Sequence, residues 1–374
     1  MSLSVDELAR YSRHLSLTEI GVAGQEKLKA AKVLVIGAGG LGSPSILYLA
    51  AAGVGTIGIV DFDRVDISNL QRQVLFDTAS IGRSKAEAAR ERLLALNPEI
   101  NIIAHAVELR ADNVREIFKD YDIVLDGTDR FATRYLTNDA CVILGKALVS
   151  AAIHRFEGQA MTYVPKQSPC YRCLFPEPPT DGLVPNCAEA GVLGVLPGVL
   201  GTIQATEAIK LITGIGQPLL GRLLTYDALS MSFDEFKFTR RDDCAVCGPH
   251  PTITELRDAP EICSVEILQT IRRLSARELK SQLNDADVVL IDVREPSEFK
   301  IANLKGAINI PVSQLANRLH ELPPSRTPIF ICRSGARSLT ACGIASRGGI
   351  LSVAHLEGGL LAWASEVDTT FRLA

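Results

Sequence analysis

Residues 32–61, KVLVIGAGGLGSPSILYLAAAGVGTIGIVD, decide the fold of this 374-residue chain. Val33–Ile36 and Ile57–Val60 are apolar, β-branched runs that are typical of buried strands. Between them, GAGGLG at residues 37–42 is a GxGxxG turn that opens a helical stretch. Such a turn lets the backbone approach a phosphate and directs the N–H groups of the next helix at an anion. The stretch therefore predicts a nucleotide-binding unit.

Asp61 closes the second strand, 19 residues after Gly42. An acid at this point can accept hydrogen bonds from a ribose. The spacing is compatible with NAD and with ATP, so an oxidoreductase and an ATP-dependent enzyme both stay open.

Length, composition and charge exclude several classes of protein. An apolar fraction of 47% and a charged fraction of 22% indicate a globular α/β protein, and 374 residues predict two or three domains. The net charge of -4 gives no general attraction to nucleic acid or to an anionic membrane. No run reaches the roughly 18 apolar residues of a membrane helix, and the N-terminus lacks the apolar segment of a signal peptide. Nine cysteines, four of them in CxxC pairs, favour a reducing compartment, so we expect a cytoplasmic protein.

A polar loop, DRVDISNLQRQ at residues 63–73, follows Asp61 where a dehydrogenase would begin its next helix. The next helix instead opens near Lys85, in a first turn where the helix dipole favours acids. A cation there is expected to face an anion, so Arg72 and Lys85 are predicted to bind phosphate. Arg13 lies on a helix predicted over residues 3–30, where the pattern alone indicates a solvated face.

The strand predicted over residues 122–125 ends at Asp126-Gly127-Thr128-Asp129. Ligands in open α/β sheets sit at the carboxyl ends of strands, so Asp129 could bind Mg²⁺ against phosphate oxygens. A cap for the helix beginning at Phe131 is an equal alternative. Strand-like runs at residues 147–153 and 159–164 then indicate a mixed sheet.

Two CxxC pairs lie far apart in the chain. Four thiolates from two such turns make a closed tetrahedral site, so the pairs predict a structural zinc ion. Such an ion can contribute roughly 10 kcal/mol or more to folding. The four predicted ligands are Cys170, Cys173, Cys244 and Cys247.

Cys187 lies between the two pairs, in the polar stretch PNCAEAG at residues 185–191. A loop thiol flanked by small residues could be a nucleophile, and an inert surface cysteine is equally compatible with the pattern.

The chain is predicted to divide into a first domain over residues 1–250, a linker over 251–273 and a smaller α/β domain over 274–374. In the second domain a buried strand, Ile329–Ile331, runs into CRSGARS at residues 332–338.

Cys332 stands where that strand ends and a loop leads into a helix. The loop N–H groups and the helix dipole make an anion cradle, and Arg333 and Arg337 add two cations. Together they stabilise a thiolate or a persulfide. Four residues separate Cys332 from Arg337, one fewer than in cysteine phosphatases, and the tighter loop favours a single sulfur over a phosphate.

These motifs resemble known families over nearly the whole chain. Residues 1 to about 250 resemble the ubiquitin-activating-like adenylyltransferases that serve molybdopterin synthase and thiamine biosynthesis. Residues 274–374 resemble a single-domain rhodanese, and the order matches the two-domain adenylyltransferase/sulfurtransferase proteins. One residue departs from the pattern: Arg130 follows Asp129, where these enzymes often carry an asparagine. The matching motifs are RYSR at 10–13, GAGGLG at 37–42, DFD at 61–63, SNLQR at 68–72, Lys85, Asp129, both CxxC pairs, DVR at 292–294, CRSGARS at 332–338 and EGG at 357–359.

The resemblance implies that the nucleotide is ATP, with Mg²⁺ held by Asp129. It also implies that Arg13, Arg72 and Lys85 neutralise charge as pyrophosphate leaves, with Arg13 reaching across a homodimer. The nucleotide-binding residues that it implies are Gly39, Gly40, Asp61, Ser68, Asn69, Leu70, Gln71, Arg72, Lys85, Asp129 and Arg130.

The substrate implied by the resemblance is the C-terminal Gly-Gly carboxylate of a ubiquitin-like sulfur-carrier protein. That carboxylate is ionised at neutral pH and attacks the α-phosphorus without a general base. A persulfide on Cys332, beside Arg337, would then attack the acyl-adenylate, with thiosulfate or a cysteine desulfurase as sulfur donor. Cys187 would resolve the acyl disulfide or form a transient acyl-thioester, releasing a thiocarboxylate.

Two alternatives remain beside this hypothesis. One is an NAD-dependent oxidoreductase, which the GxGxxG and Asp61 permit. The other is an activating enzyme for protein conjugation, with Cys187 as acyl acceptor and the rhodanese domain as a docking module. The pathway stays open among molybdopterin, thiamine, tRNA thiolation and cysteine synthesis.

Overall fold

The structure of the protein is a computed structural model, which describes residues 2–178, 191–258, 271–283, 285–324, 326–350 and 352–373. The described residues form two compact units, one ending at residue 258 and one beginning at residue 271. Cys187 and Cys263 lie outside the described residues. The domain boundaries drawn from the sequence remain predictions.

The first unit contains an eight-stranded mixed sheet in the order β3-β2-β1-β4-β5-β6-β7-β8. The strands from β3 to β5 are parallel, and β6, β7 and β8 add antiparallel pairs at one edge. This arrangement confirms the Rossmann-like mixed-sheet α/β fold. The strands are β1 Lys32–Ile36, β2 Thr56–Val60, β3 Asn101–His105, β4 Ile123–Asp126, β5 Ala147–His154, β6 Glu157–Tyr163, β7 Arg222–Asp227 and β8 Ser232–Lys237.

Helices cover both faces of this sheet, which is why its central strands are apolar on both sides. Alternate residues of β1 enter different cores: Val33 and Val35 pack with the apolar faces of α4, α5 and α9, whereas Leu34 and Ile36 pack with those of α6 and α7. The helices are α1 Val5–Arg10, α2 Ser12–Leu15, α3 Gly21–Ala30, α4 Gly42–Ala52, α5 Lys85–Leu96, α6 Val114–Phe118, α7 Phe131–Leu144, α8 Tyr171–Leu174 and α9 Leu196–Thr213.

The single helix predicted over residues 3–30 is wrong, because α1, α2 and α3 replace it. The first break falls at Tyr11, whose ring is buried against Gly53, where a Cβ would lie 2.4 Å from the ring. The Tyr11 hydroxyl accepts a hydrogen bond from Asn97 at 2.8 Å. Tertiary packing of one aromatic residue therefore overrides local helix propensity.

The second unit contains a five-stranded parallel sheet in the order β11-β10-β12-β13-β9, with apolar clusters on both faces. Its first strand, β9, joins the sheet edge beside β13. Its elements are β9 Arg272–Leu274, α10 Ala276–Gln282, β10 Val288–Asp292, α11 Pro296–Ile301, β11 Ile308–Asn309, α12 Val312–Arg318, β12 Thr327–Ile331, α13 Ala336–Arg347, β13 Ala354–Leu356 and α14 Gly359–Glu366.

Among the helices of the described residues, none combines the length and the apolar character that a membrane crossing requires.

Candidate active sites

The glycine-rich turn lies at the carboxyl end of β1 and leads into α4. Gly37 adopts a positive φ of 88°, which places the chain in a tight reversal. A Cβ on Gly42 would lie 1.9 Å from the carbonyl oxygen of Gly37, so no larger residue fits there. The turn therefore presents the N-terminus of an eleven-residue helix at the sheet edge where ligands bind in this class of fold.

Asp61 fastens this turn to the segment that follows β2. One carboxylate oxygen accepts the Ala38 N–H at 2.8 Å, and the other accepts the Asp63 N–H at 2.9 Å. Burial raises the pKa of Asp61, and the charge of Lys85 and the two backbone hydrogen bonds oppose that rise. Asp61 is thus a buried carboxylate whose hydrogen bonds hold the turn in place. It lies at the end of β2, where the sequence predicted a residue that binds the ribose.

The structure brings the two predicted phosphate cations to this turn. Lys85 is buried at the start of α5, and its Nζ lies 3.1 Å from a carboxylate oxygen of Asp63. Arg72 donates from Nη1 to the Ser68 carbonyl at 3.0 Å, and its Cδ lies 3.7 Å from where a Cβ of Gly40 would stand. Arg72 therefore lies beside the glycine turn, and Lys85 is linked to the turn through Asp63 and Asp61.

The residues between Ser68 and Gln71 build the loop itself. The Ser68 hydroxyl donates to the Asp66 carboxylate at 2.6 Å, and the Asn69 side chain accepts the Asp66 N–H at 3.1 Å. Leu70 packs against the apolar core, and Gln71 lies against Gly194, where a Cβ would be 2.3 Å from its Oε1. Their predicted role in nucleotide binding stays a prediction.

Gln73 was missed by the sequence reasoning. Its side chain is buried, and its Nε2 lies 3.7 Å from where a Cβ of Gly39 would stand. Its Oε1 has no hydrogen-bond partner within the described part of the chain. A buried acceptor without a partner beside a phosphate-type turn marks a place where a ligand donor would be stabilised.

Asp129 and Arg130 are exposed at the carboxyl end of β4. Arg130 immediately precedes α7, and no side chain caps this helix, so the alternative of Asp129 as its cap is wrong. The Arg130 guanidinium lies 4.8 Å from the ring centroid of Phe62 and donates to Glu108 at 3.1 Å. Arg130 therefore bridges the segments that follow β2 and β3.

A buried ion pair, also missed from the sequence, supports this edge of the sheet. Asp126 ends β4, and its carboxylate accepts the Arg134 Nε–H at 3.0 Å. Arg134 also donates to the carbonyls of Thr128 at 2.6 Å and Ala151 at 3.0 Å, and Gln204 donates to the Asp126 carbonyl at 2.7 Å. The cluster fixes the carboxyl end of β4 against the middle of β5.

Arg13 lies away from the glycine turn of its own chain. It is exposed on α2, next to Tyr11, which packs on Gly53 beyond the C-terminal end of α4. An eleven-residue helix is about 16 Å long, and the glycine turn is at its other end. Arg13 therefore lies far from the glycine turn of its own chain.

The four CxxC cysteines converge on one point, with their sulfurs within 4.8 Å of one another. The Sγ atoms of Cys170 and Cys244 are 3.7 Å apart, and those of Cys173 and Cys247 are 3.3 Å apart. A tetrahedral zinc ion with bonds of about 2.3 Å separates its sulfurs by about 3.8 Å. Hydrogen bonds from Cys170 and Cys247 lower the pKa of Cys173, as expected where thiols share one site. The cluster could hold zinc.

The Cys332 loop wraps closely around its sulfur. Cys332 is buried at the end of β12, and its Sγ accepts the N–H of Gly335 at 3.1 Å and of Ser338 at 3.3 Å. The N–H groups of Leu360 and Leu361, in the first turn of α14, donate to the carbonyls of Cys332 and Arg333. The cradle predicted from the sequence is therefore present.

The two loop arginines differ in their surroundings. Arg337 is buried and binds both oxygens of Glu298 on α11, whereas Arg333 is exposed. Burial of Glu298 raises the pKa of its carboxyl group. The hydrogen bonds and the charge of Arg337 together have the larger effect, so the pKa of Glu298 lies below its ordinary value.

Comparisons with known proteins identify a family for each part of the chain. The ThiF family matches residues 11–246, and the rhodanese-like domain matches residues 275–366. The chain is 49% identical to a probable adenylyltransferase/sulfurtransferase, MoeZ, of Mycobacterium tuberculosis, over 98% of this chain and 95% of that protein. It is 43% identical to the adenylyltransferase and sulfurtransferase MOCS3 of Aedes aegypti, over 99% of this chain and 89% of that protein.

Among solved structures, the chain is similar to E. coli MccB determined with ATP. The TM-score is 0.56 at 26% identity, over 64% of this chain and 73% of that chain. The fold, the paired sites and the full-length relatives lead to one assignment: the chain belongs to the fused adenylyltransferase/sulfurtransferase family, in which a ThiF domain precedes a rhodanese domain.

Proposed function

We propose that this enzyme adenylates the C-terminal glycine of a ubiquitin-like sulfur-carrier protein and then converts it to a thiocarboxylate. The observation that carries the proposal is the presence, in one chain, of a cation-flanked glycine turn and a persulfide-type cysteine cradle. The adenylyltransferase family implies ATP as the nucleotide. The chemistry is common to molybdopterin, thiamine and tRNA thiolation pathways, and the carrier decides between them.

In the first half-reaction, the carrier carboxylate attacks the α-phosphorus of ATP. The products are an acyl-adenylate and pyrophosphate, and the ionised carboxylate requires no base. Lys85 and Arg72, beside the glycine turn, are the cations that would stabilise the charge developing on the phosphates. Asp61 would accept from the ribose, with Gly39 and Gly40 against the phosphates.

Asp129 would hold Mg²⁺ in this reaction. Its carboxylate is exposed at the carboxyl end of β4, on the ligand-binding edge of the sheet. When bound, Mg²⁺ would neutralise phosphate charge. Asp126 is unsuited to this task, because its carboxylate is already occupied by Arg134, Thr128 and Ser150.

Arg13 would act in a neighbouring copy of the chain. Its own glycine turn lies at the far end of α4, which supports a homodimer in which each copy lends an arginine to the other. This arrangement would add one more cation at the leaving pyrophosphate.

In the second half-reaction, the Cys332 thiolate would attack the outer sulfur of thiosulfate, forming a persulfide and releasing sulfite. The terminal persulfide sulfur would attack the acyl-adenylate, which forms an acyl disulfide and releases AMP. The Gly335 and Ser338 N–H groups would stabilise the anionic sulfur. A cysteine desulfurase could supply the same sulfur.

Cys187 would release the product. Its thiolate would attack the Cys332 sulfur of the acyl disulfide, which frees the carrier thiocarboxylate and leaves a Cys187–Cys332 disulfide. An external dithiol would reduce that disulfide for the next cycle.

The first half-reaction can be tested alone by ATP–pyrophosphate exchange. We expect exchange only when a carrier ending in Gly-Gly is present, and none when that tail is removed. Tight NAD binding without carrier-dependent exchange would contradict the proposal.

A further inference from the structure

His355 lies behind the Cys332 loop and has no part in the steps above. It is buried on β13, and its Nδ1 is 3.3 Å from the Ser338 hydroxyl oxygen. That oxygen is 3.5 Å from the Cys332 sulfur. The three side chains form a continuous line from the reacting sulfur into the interior of the second unit.

The surroundings of the ring decide which nitrogen carries its proton. Burial and the nearby charge of Arg273 lower the pKa of His355, with Glu357 opposing, and this favours the neutral ring, which has one N–H. Nε2 is buried and has no hydrogen-bond partner within the described residues. A buried N–H without a partner is rarer than a buried acceptor without one. The proton therefore belongs on Nδ1, where it points at the Ser338 oxygen.

The proton on Nδ1 restricts the single hydrogen of the Ser338 hydroxyl. Since the Nδ1–H of His355 donates to the Ser338 oxygen, the hydroxyl hydrogen itself can be donated to one of two acceptors. These are the Gly335 carbonyl at 2.9 Å and the Cys332 sulfur. A hydrogen bond to an anion is stronger than one to a neutral carbonyl. When the sulfur is a thiolate, the hydroxyl should turn towards it.

We propose that His355 is a positioning residue for sulfur transfer, which orients the Ser338 hydroxyl as a donor to the anionic sulfur of Cys332. This inference rests on the proposed sulfur transfer and adds a residue to it. No proton leaves the array in the process: the Nδ1–H stays on His355 and the hydroxyl hydrogen stays on Ser338.

Among the described residues, Arg273 and Glu357 act on the charge of the ring, and on α13 one ionisable group is paired and another is neutral. On β9, Arg273 pairs with Glu357 at 3.4 Å. On α13, Arg337 pairs with Glu298, and burial raises the pKa of Cys342 to about 12, so that thiol is uncharged. Ser338 is therefore the group on α13 through which His355 reaches the sulfur.

The test compares His355→Leu, His355→Asn and Ser338→Ala in the full chain. Alkylation of Cys332 by iodoacetamide is followed against pH by peptide mass, and thiosulfate–cyanide sulfur transfer is measured in parallel. Because Leu removes the donor, we expect the pH midpoint of Cys332 alkylation to rise by about one unit. The rate of alkylation at neutral pH should then fall about tenfold. Asn keeps an N–H near the position of Nδ1, and we expect it to stay within about threefold of the original protein.

The double variant His355→Leu/Ser338→Ala should match Ser338→Ala alone, because His355 acts through the hydroxyl. Three results would each overturn the inference. The midpoint could be unchanged in His355→Leu, the effects of the two substitutions could multiply in the double variant, or His355→Asn could be as impaired as His355→Leu. If the Leu variant fails to fold, as judged by its thermal midpoint, His355→Phe replaces it. If the unsubstituted protein transfers no sulfur, the proposed function fails, and the alkylation profile still tests His355.

Discussion

Both carboxylate oxygens of Glu298 accept hydrogen bonds from the guanidinium of Arg337, at 2.6 and 2.9 Å. The pair joins α11 to the first turn of α13, directly after the Cys332 loop. Arg337 is thereby held in one orientation beside the loop, whereas Arg333 is exposed. The two cations that look equivalent in the sequence therefore differ in their burial and surroundings.

This ion pair predicts how acid affects the second unit. The pKa of Glu298 is lower in the folded chain than its ordinary value of 4.5, so its contribution to stability is complete above that value and is lost as the pH falls through the folded pKa. Glu298→Gln should lower the thermal midpoint of the second unit by about 4–8 °C at pH 7. Calorimetry should show this difference shrinking below pH 4.5. A difference that is the same at pH 7 and pH 3.5 would contradict the pairing.

Lys85 provides a prediction for the first half-reaction. Lys85→Met should reduce carrier-dependent ATP–pyrophosphate exchange about 10²–10³-fold, because it removes a cation expected to stabilise the transition-state charge. The matched control is Lys119→Met, which removes an exposed lysine paired with Glu116. Thiosulfate–cyanide sulfur transfer should be unchanged in both variants. Exchange at the original rate in Lys85→Met would remove Lys85 from the site.

The cysteine cluster predicts one zinc ion per chain. Cys173→Ser should lose the metal and lower the thermal midpoint of the first unit, because zinc binding contributes directly to folding. Cys141→Ser is the control, since Cys141 is buried outside the cluster. Elemental analysis and calorimetry check both variants. Full zinc content in Cys173→Ser would contradict the four-cysteine site.

The parts of the protein that the sequence predicted well depend on local signals. The glycine turn, β1 and β2 follow from one continuous stretch, because glycine spacing and apolar runs are short-range patterns. The Cys332 cradle is equally local, with a buried strand, a loop and a helix start within a few residues. The four-cysteine cluster was predictable across a long insert because two CxxC pairs in one chain are typical of a four-thiolate metal site.

The contacts that the sequence could not predict depend on how the elements pack against one another. Nothing near Tyr11 shows that its ring will pack on Gly53 and break a helix. Arg134 finds Asp126 only after β4 and α7 have packed, and His355 finds Ser338 only across β13 and α13. Gln73 is identified only in the structure, where its buried Oε1 has no hydrogen-bond partner among the described residues.

The most direct measurement is the intact mass of a Gly-Gly-tailed carrier after incubation with the full chain, Mg-ATP and thiosulfate. We expect a gain of about 16 Da on the carrier, since sulfur replaces one oxygen of the carboxylate. Cys332→Ala should give an adenylated carrier without that gain, whereas Cys342→Ala, which removes a buried thiol of the same unit, should retain it. Thiocarboxylate formed at the full rate by Cys332→Ala would contradict the central claim that sulfur passes through Cys332.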